Sequence, residues 1–163
     1  MDIRERIVAT HPAPVWAAKA DCLGVVPIVV GDQHQLEALA LRMVEPSVCR
    51  VCCIPFLAYG ISLDDAVMVV PVQVLQGLTV AYEISRVCTP SGRAVARVNF
   101  AEGSTAADRR TLADEFAALG ALMEWSSPRY LALDLANSDV KSRVADALVR
   151  AMNAGMLTFE RAD

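Results

Sequence analysis

Three cysteines lie close together in the first third of the chain, and their spacing is typical of a chemical site. Cys49 and Cys52 form a C-x-x-C pair, and Cys53 follows directly. This spacing is common in zinc and redox sites. On a strand, however, Cys49 and Cys53 share one face and Cys52 lies on the other, so the pair could chelate a metal only across a turn. Because free cysteine is among the most buried residue types, we predict core cysteines and no metal site.

Charged residues in the second half of the chain could instead bind a small molecule. Arg93 and Arg97 lie in or beside one expected strand. Glu124 and Asp134 lie in or beside two others. A carboxylate with apolar neighbours can have a shifted pKa and a functional role, although an ion pair with Arg97 or Arg129 is a simpler explanation. The predicted ligand-binding residues are Arg93, Arg97, Glu124, Asp134, Tyr59 and Asp65.

The remaining candidates for acid–base chemistry have simpler structural roles. Asp64 and Asp65 could form a carboxylate pair for a metal or for proton transfer, but one of them is expected to cap the turn at Ser62. His11 and His34 are the two histidines of the chain, and they alone could titrate near neutral pH with an unperturbed pKa. Both lie in polar segments near Pro or Gly, which favours surface loops over catalysis.

The common nucleotide-binding and hydrolase motifs are absent from the sequence. It has no P-loop, no G-x-G-x-x-G and no G-x-S-x-G elbow. This disfavours a nucleotide-binding enzyme of the common folds. The sequence therefore predicts no catalytic residue and no cofactor, and it leaves open whether the chain is an enzyme.

Composition narrows the possible partners and the location. The chain has 163 residues, 55% of them hydrophobic, and a formal net charge of -4 with its basic residues scattered. Nucleic-acid binding needs a basic face, so nucleic acid is not an expected partner. No apolar run approaches the roughly 20 residues that span a bilayer, and no signal-peptide pattern is present. The five cysteines, an odd number, fit a reducing cytoplasm. The apolar surplus favours a protein partner or a homodimer.

Residues 1–90 are expected to form a β-rich unit that resembles a small barrel or sandwich. Its centre is the stretch 50–70, which predicts a strand, a crossing at Pro55, a turn at Gly60 and a second strand. Residues 36–44 fit both helical and strand spacing, and the β-rich surroundings favour a strand. Further short strands, separated by Pro and Gly, are predicted at residues 15–20, 23–30, 66–74 and 78–87.

Residues 91–163 are expected to alternate strands and helices. Thr105 with Asp108 predicts a variant capping box for a first helix that ends at Gly120. Ser138 is predicted to cap a second helix that ends at Gly155. Strands are predicted at residues 94–100, 122–125, 130–135 and 157–161. The order βαββαβ predicts a ferredoxin-like plait. The predicted fold class is therefore α+β, with a barrel-like N-terminal half packed on this plait.

Alternation along residues 130–135 assigns their side chains to the two faces of the sheet. The three leucines of this segment are expected to face the helices, which puts Tyr130, Ala132 and Asp134 on the opposite side. We expect the β-rich half to cover that side. Any small-molecule site is then expected at the seam between the halves.

Several segments together resemble a known family. They are residues 37–40 (EALA), residues 54–67 (IPFLAYGISLDDAV), residues 91–98 (SGRAVARV), and Gly120 with Glu124 and Asp134. In this combination the chain, over about residues 35–163, resembles the bacterial "domain of unknown function 4265" family. That family has a similar Pro-Phe crossing, followed by Gly-Ile-Ser and an aspartate.

The sequence departs from the pattern of that family at several polar positions. Arg93 stands where the family often has histidine, and Ala94 and Val95 replace residues with hydroxyl groups. Cys53 replaces an asparagine. If those polar positions form a reactive site in the family, the site is altered in this chain. The resemblance implies the layout of the fold and no known activity.

A low count of reactive polar residues and a high apolar content favour one class of function. We predict a cytoplasmic, non-catalytic binding or regulatory protein, for example an immunity-type protein that binds a partner protein. The alternative is a small-molecule-binding protein or minor enzyme with its site at the seam between the halves.

Overall fold

A computed structural model describes residues 6–72 and 80–162 of the chain. The chain divides into two compact units, Met1–Ser91 and Gly92–Asp163. The fold is mixed α+β: the first unit contains a β-barrel, and the second contains a separate sheet with two helices. Within the described residues, no helix combines the length and the apolar character that a bilayer crossing requires.

Five strands of the first unit close into a barrel. The strands of this unit are β1 (Ile7–Ala9), β2 (Cys22–Val30), β3 (Gln33–Glu45), β4 (Val48–Val51), β5 (Ala66–Pro71) and β6 (Val80–Thr89). Their order is β1-β3-β2-β6-β5-β4, and β4 also pairs with β3. In the series β3-β2-β6-β5-β4, the first and last strands are thus hydrogen-bonded to each other, which closes these five strands into a barrel. The predicted barrel-like unit is therefore confirmed, with β1 added in parallel outside β3.

The centre of β3 is buried on both faces, which explains its ambiguous sequence pattern. Leu39 and Leu41 have no exposed surface, and the alanines between and beside them are also buried. A strand buried on both faces does not alternate apolar and polar residues. In the neighbouring β2, a Cβ atom at Gly24 would lie 2.5 Å from Leu41 Cδ1. Glycine therefore permits the close approach of this side chain.

One predicted strand of the barrel unit is wrong. Residues 15–20 contain a 3-10 helix, Ala17–Lys19, in place of a strand. The backbone N–H of Ala17 donates to the carbonyl of Pro14, and that of Lys19 donates to the carbonyl of Trp16. Alanine and lysine are poor strand formers, and a short helical turn satisfies their backbone groups locally.

The other predicted strands of this unit have counterparts in the structure. The strand predicted at residues 36–44 lies within β3, and the one at 23–30 lies within β2. The strands predicted at 66–74 and 78–87 correspond to β5 and β6, and their parts at residues 73–74 and 78–79 lie outside the described residues.

The second unit has one four-stranded sheet and two helices. Its elements are β7 (Ala94–Phe100), α1 (Ala106–Ala118), β8 (Leu122–Ser127), β9 (Tyr130–Leu135), α2 (Ser138–Asn153) and β10 (Leu157–Ala162). The strand order is β10-β7-β9-β8, and every neighbouring pair is antiparallel. The predicted hairpin is present, with β8 longer than expected.

The two helices begin at caps of different kinds. Thr105 and Asp108 form the predicted capping box of α1. The N-cap of α2 is Asn137 and not Ser138, because the Asn137 side chain accepts the N–H of Val140 at 3.0 Å. Asn137 has an extended backbone, whereas Ser138 is already the first helical residue. Asparagine is as favourable an N-cap as serine, so local preference alone does not separate them.

The sheet of the second unit buries one face against its helices. The leucines of β9, at positions 131, 133 and 135, belong to one core cluster with Phe116 of α1 and with Val144 and Leu148 of α2. The predicted orientation of these leucines is confirmed. It follows that Tyr130, Ala132 and Asp134 point to the other side of the sheet.

Candidate functional site

Glu37 is a fully buried carboxylate that binds the backbone of the Pro55 crossing. It lies in β3 and is 0% exposed. Its Oε1 accepts the N–H of Phe56 at 2.6 Å, and its Oε2 accepts those of Leu57 at 3.0 Å and Ala58 at 2.6 Å. Three consecutive amides thus converge on one carboxylate, which fixes the path of the crossing against the barrel strand.

His11 completes the partners of Glu37. Its Nε2 lies 3.0 Å from Glu37 Oε1, and its ring stacks on Phe56 with 4.4 Å between ring centroids. The His11 side chain is only 1% exposed. The prediction of a surface loop for this histidine is therefore wrong, because a carboxylate and an aromatic ring hold it inside. His34 is exposed, but it lies in β3 and not in a loop.

The hydrogen bonds at Glu37 outweigh its burial. Burial raises the pKa of the Glu37 carboxyl, while the hydrogen bond from His11, the backbone amides and the charge on His11 lower it. The net pKa lies below its ordinary value. Glu37 is therefore charged at neutral pH, and its negative charge is distributed over hydrogen bonds that hold the chain in place.

Asp65 has the same kind of role at a second loop. It is 4% exposed, and its Oδ2 accepts the N–H of Ser62 at 2.8 Å, which is the turn-capping contact expected from the sequence. Its Oδ1 accepts the N–H of Ser91 at 2.6 Å. Gly60 adopts a left-handed backbone with φ of 74° in this loop. Tyr59 is 64% exposed beside it, so it contributes an accessible aromatic surface.

Arg93 and Asp134, two of the predicted site residues, form a partly buried ion pair. Arg93 Nε donates to Asp134 Oδ1 at 2.8 Å, and a second guanidinium nitrogen donates to Oδ2. Asp134 has no exposed surface. Burial raises the pKa of the Asp134 carboxyl above its ordinary value, and the hydrogen bond and charge of Arg93 offset this only in part. The predicted partners of Asp134, Arg97 or Arg129, are thus replaced by Arg93.

Arg97 and Glu124 lie in one row across the sheet, on the face opposite the helices. The row runs Glu160, Arg97, Ala132 and Glu124 through β10, β7, β9 and β8. Arg97 and Glu124 are 2% and 4% exposed. Two strand spacings, or about 10 Å, separate them. The small side chain of Ala132 lies between them, which leaves space above the sheet for the long side chains.

A polar cavity opens beside Arg97. It has a volume of about 310 Å³ and is lined by Arg97, Asn99, Tyr130, Thr158, Phe159 and Glu160. Asn99, Thr158 and Glu160 are exposed at its rim, whereas Arg97 is buried at its base. Of the six predicted ligand-binding residues, Arg97 is the one that lines this cavity. Arg93 and Asp134 pair with each other, and Tyr59 and Asp65 lie in the first unit.

A larger groove, of about 370 Å³, lies between α1 and β8. Its lining residues are Ala106, Arg109, Arg110, Ala113, Asp114, Met123, Trp125 and Pro128. Helical spacing places positions 106, 109, 110, 113 and 114 on one face of α1. Trp125 is 39% exposed and stacks on Phe100 at 5.7 Å between ring centroids. This groove combines an aromatic surface with two arginines.

The cysteines belong to the core of the barrel unit. Cys49, Cys52 and Cys53 are at most 1% exposed. Burial raises the pKa of the Cys49 thiol and raises that of Cys52 to about 11. A thiol with so high a pKa is a poor nucleophile near neutral pH. Within residues 6–72 and 80–162, no group of three or more His, Cys, Asp or Glu side chains is arranged to hold a metal ion.

Together, the fold and these contacts define a barrel-and-sheet α+β protein whose buried carboxylates organise loops and strand ends. The chain belongs to the family described as "Domain of unknown function (DUF4265)", which matches residues 37–159. The resemblance found in the sequence is therefore confirmed. No curated protein matches the chain.

A solved structure shares this fold. The chain is similar to a protein described as "Novel crystal structure of a hypothetical protein from Neisseria gonorrhoeae", with a TM-score of 0.69 and 14% sequence identity. The match covers 86% of this chain and 93% of that one. At this identity the likeness shows the fold alone.

Sequence reasoning missed Glu37 as the organising residue of the barrel unit. One signal was present: Glu37 is the only charged residue in the run Leu36 to Leu41, which is otherwise apolar. A carboxylate at the centre of a buried strand needs donors from elsewhere in the chain. The sequence does not say which segment supplies them.

Proposed function

We propose that this protein is a cytoplasmic, non-catalytic binding protein that docks a partner protein in the groove between α1 and β8. The observation that carries the proposal is the contrast between two kinds of polar groups. The buried carboxylates Glu37, Asp65 and Asp134 are engaged by backbone amides or by arginine. The groove instead presents an exposed aromatic ring and exposed charges to the outside.

The groove fits an extended acidic segment that also carries apolar side chains. Arg109 and Arg110 contribute two positive charges against one negative charge from Asp114. Arg109 is held in place because it donates to the carbonyl of Ser104 at 2.6 Å. The strand β8 is terminal in the described sheet order, so an extended partner segment can pair along it. Trp125 supplies the kind of aromatic anchor that dominates many interfaces.

An immunity-type protein, which blocks a partner by covering it, is a specific form of this proposal. Five free cysteines support a reducing cytoplasm as its location. The proposed partner carries the acidic segment, and self-association as a homodimer is the alternative occupant that the experiment separates.

The test uses a displayed library of random 12-residue peptides, panned on the full chain. Selected peptides should be rich in Asp and Glu together with apolar residues, and Arg110→Glu should weaken a selected peptide about tenfold or more. Arg143→Glu on α2 is the matched control, with the same charge change at an exposed site whose ion pair, with Asp139, lies along its own helix. Its affinity should stay within about twofold of the wild type.

Two outcomes would overturn the docking proposal. One is a set of selected peptides that lack acidic residues or bind Arg110→Glu as well as the wild type. The other is a dimer in sedimentation velocity that Arg110→Glu dissociates, because the groove would then hold a second copy of the chain.

A second candidate function, small-molecule binding, is favoured by the cavity at Arg97. Its volume is near the lower end of the range of about 300 to 1,000 Å³ for ligand pockets. A broad metabolite screen by thermal shift tests it. The expected result is at least one compound that stabilises the wild type and not a variant of the cavity rim. The expectation of a site at the seam between the halves stays a prediction.

We also infer that residues 92–163 form a split βαβ plait of the ferredoxin-like type. Two observations support this inference. The elements follow the order βαββαβ, and the first and third strands are neighbours at the centre of an antiparallel sheet.

A further inference from the structure

The cavity at Arg97 is built from two adjacent rows of the sheet in the second unit. In one row Arg97 lies opposite Glu160, and in the next Asn99 lies opposite both Thr158 and Tyr130. Positions two apart on a strand share a face, so these side chains leave the same side of β10, β7 and β9. These five side chains therefore form a continuous polar surface on three neighbouring strands, and Phe159, which packs against the core of the unit, is the remaining lining residue.

The charges of the cavity are balanced and closely spaced. Arg97 is the only cation and Glu160 the only carboxylate among the lining residues. Directly opposed residues of an antiparallel pair have Cα atoms about 4.5 to 5.5 Å apart. Asn99, Thr158 and Tyr130 add neutral groups that can both donate and accept hydrogen bonds.

We propose that this cavity binds a small zwitterion of the α-amino-acid type, with its carboxylate at Arg97 and its ammonium group at Glu160. In such a molecule a single carbon joins the carboxylate and the ammonium group. Two opposite charges so close together are complementary to one cation and one anion at directly opposed positions of neighbouring strands. The volume of about 310 Å³ suits a ligand of this size. The inference rests on the second proposed function, since it names the ligand class for that same cavity.

The same row of the sheet disfavours a phosphate-rich ligand. Glu160 and Glu124 lie on either side of Arg97 in this row, so two carboxylates would face a multiply charged anion. A single carboxylate that is accompanied by an ammonium group does not meet this net repulsion. Arg97 and Glu160 also have contacts within the protein, and a ligand has to share or displace them. We therefore expect weak rather than tight affinity.

The experiment compares three forms of one ligand scaffold, and inorganic phosphate, for binding to the full chain by thermal shift and calorimetry. A panel of free L-amino acids first identifies the best ligand. Its N-acetyl derivative, its methyl ester and inorganic phosphate are then titrated. At about five times Kd, the free amino acid should raise Tm by about 2 to 4 °C. Each blocked derivative should bind at least about tenfold more weakly, because it lacks one of the two charges.

Two variants, one at the rim of the cavity and one at its buried base, test the roles of the two charged residues. Glu160→Gln should weaken the free amino acid about tenfold and should remove most of its advantage over the N-acetyl derivative. Glu102→Gln, an equivalent change at an exposed site of the same unit, should leave both affinities within about twofold. Arg97→Lys, which keeps the charge of the buried residue, should reduce affinity because it loses the two-pronged guanidinium contact.

Different failures have different meanings. If another small molecule stabilises the chain through the cavity while no amino acid does, the zwitterion inference fails and the small-molecule function stands. If no compound gives a shift that depends on Glu160 or Arg97, both fail. Equal binding of the free and N-acetylated forms would also overturn the zwitterion inference.

Discussion

In the barrel unit, Glu37 is held by three backbone N–H groups and His11, whereas in the second unit Asp134 is held by the guanidinium of Arg93. Both carboxylates have no exposed surface. Backbone donors cannot leave Glu37 unless the chain itself moves, so this contact fixes a segment. A guanidinium sits on a long side chain and can follow a displaced carboxylate. A buried carboxylate thus fixes the path of the backbone in the barrel unit, whereas in the second unit it neutralises the charge of an arginine.

The two sites also differ in how the protein treats the charge. Hydrogen bonds and the charge on His11 overcome burial and lower the pKa of Glu37, while burial outweighs Arg93 and raises the pKa of Asp134. Several short contacts to the charged form therefore achieve what one arginine does not. The comparison predicts different costs for breaking the two sites and opposite responses to pH.

The largest expected effect is on the Glu37 site. Glu37→Ala leaves three backbone donors, two of them in buried residues, and His11 without their acceptor, so the free energy of unfolding should fall by roughly 3 to 5 kcal/mol. Urea denaturation measures it. Glu45→Ala, at an exposed position of the same strand, should change stability by no more than about 0.5 kcal/mol. A loss below about 1 kcal/mol for Glu37→Ala would show that the crossing does not depend on this carboxylate.

A smaller loss is expected at the Arg93–Asp134 pair. Arg93→Met should lower the free energy of unfolding by roughly 2 to 3 kcal/mol, at the low end for a buried pair, because Asp134 can take up a proton. The double variant Arg93→Met/Asp134→Leu should recover part of that loss. The measurement is a double-mutant cycle with Asp134→Leu alone. A coupling energy near zero would show that the Arg93–Asp134 ion pair does not stabilise the fold.

The pH dependence of stability should separate the two carboxylates by sign. The pKa of Glu37 is lowered in the folded state. The stabilisation of the fold by this carboxylate is therefore complete above pH 4.5, the ordinary pKa of the group, and is lost as pH falls through the folded-state pKa. The difference in the free energy of unfolding between the wild type and Glu37→Gln should therefore become smaller at acidic pH. Asp134 has a raised pKa, so the folded state binds its proton more tightly, and stability from this group is lost as pH rises above 3.8.

Urea midpoints between pH 7 and about pH 3.5 provide the measurement for both carboxylates. Relative to Asp134→Asn, the wild type should gain stability as pH falls, which is opposite to its trend relative to Glu37→Gln. Parallel trends for the two variants would mean that the two sites do not differ as proposed.

The smallest expected loss of stability is at a local contact, and it provides a reference for the losses at the long-range contacts. Asn137→Ala removes the acceptor for the Val140 N–H at the start of α2 and should cost about 1 kcal/mol. Asn137→Ser should restore most of it, because serine is an equally good N-cap. Asn153→Ala, at the other end of α2, is the control. A loss as large as that of Glu37→Ala would remove the distinction between local and long-range contacts.

The features that sequence reasoning predicted correctly depend on near neighbours. The turn at Ser62 with Asp65 and the capping box of Thr105 and Asp108 each join residues three positions apart. The faces of β9 follow from the alternation of a strand. The strand predicted at residues 15–20 was wrong, because this short segment is half alanine and its period does not distinguish a strand from a short helical turn.

The site itself was only partly predictable. Arg97 was singled out from the sequence and lines a polar cavity, but its companions Asn99, Thr158 and Glu160 carried no signal in their own segments. They come together only because β10 pairs with β7 at one particular register. His11 was misjudged for a similar reason, since its polar surroundings in the sequence differ from its surroundings in the fold.

The sequence by itself determined where most strands and helices lie, how α1 is capped and which side of β9 faces the helices. Those properties depend on residues within a few positions of one another. Only the tertiary structure decided that Glu37 binds residues 19 to 21 positions away, that Arg93 binds Asp134 at a separation of 41, and that β4 returns to β3 to close the barrel. A buried charge must find partners, but the path of the whole chain determines which partners reach it.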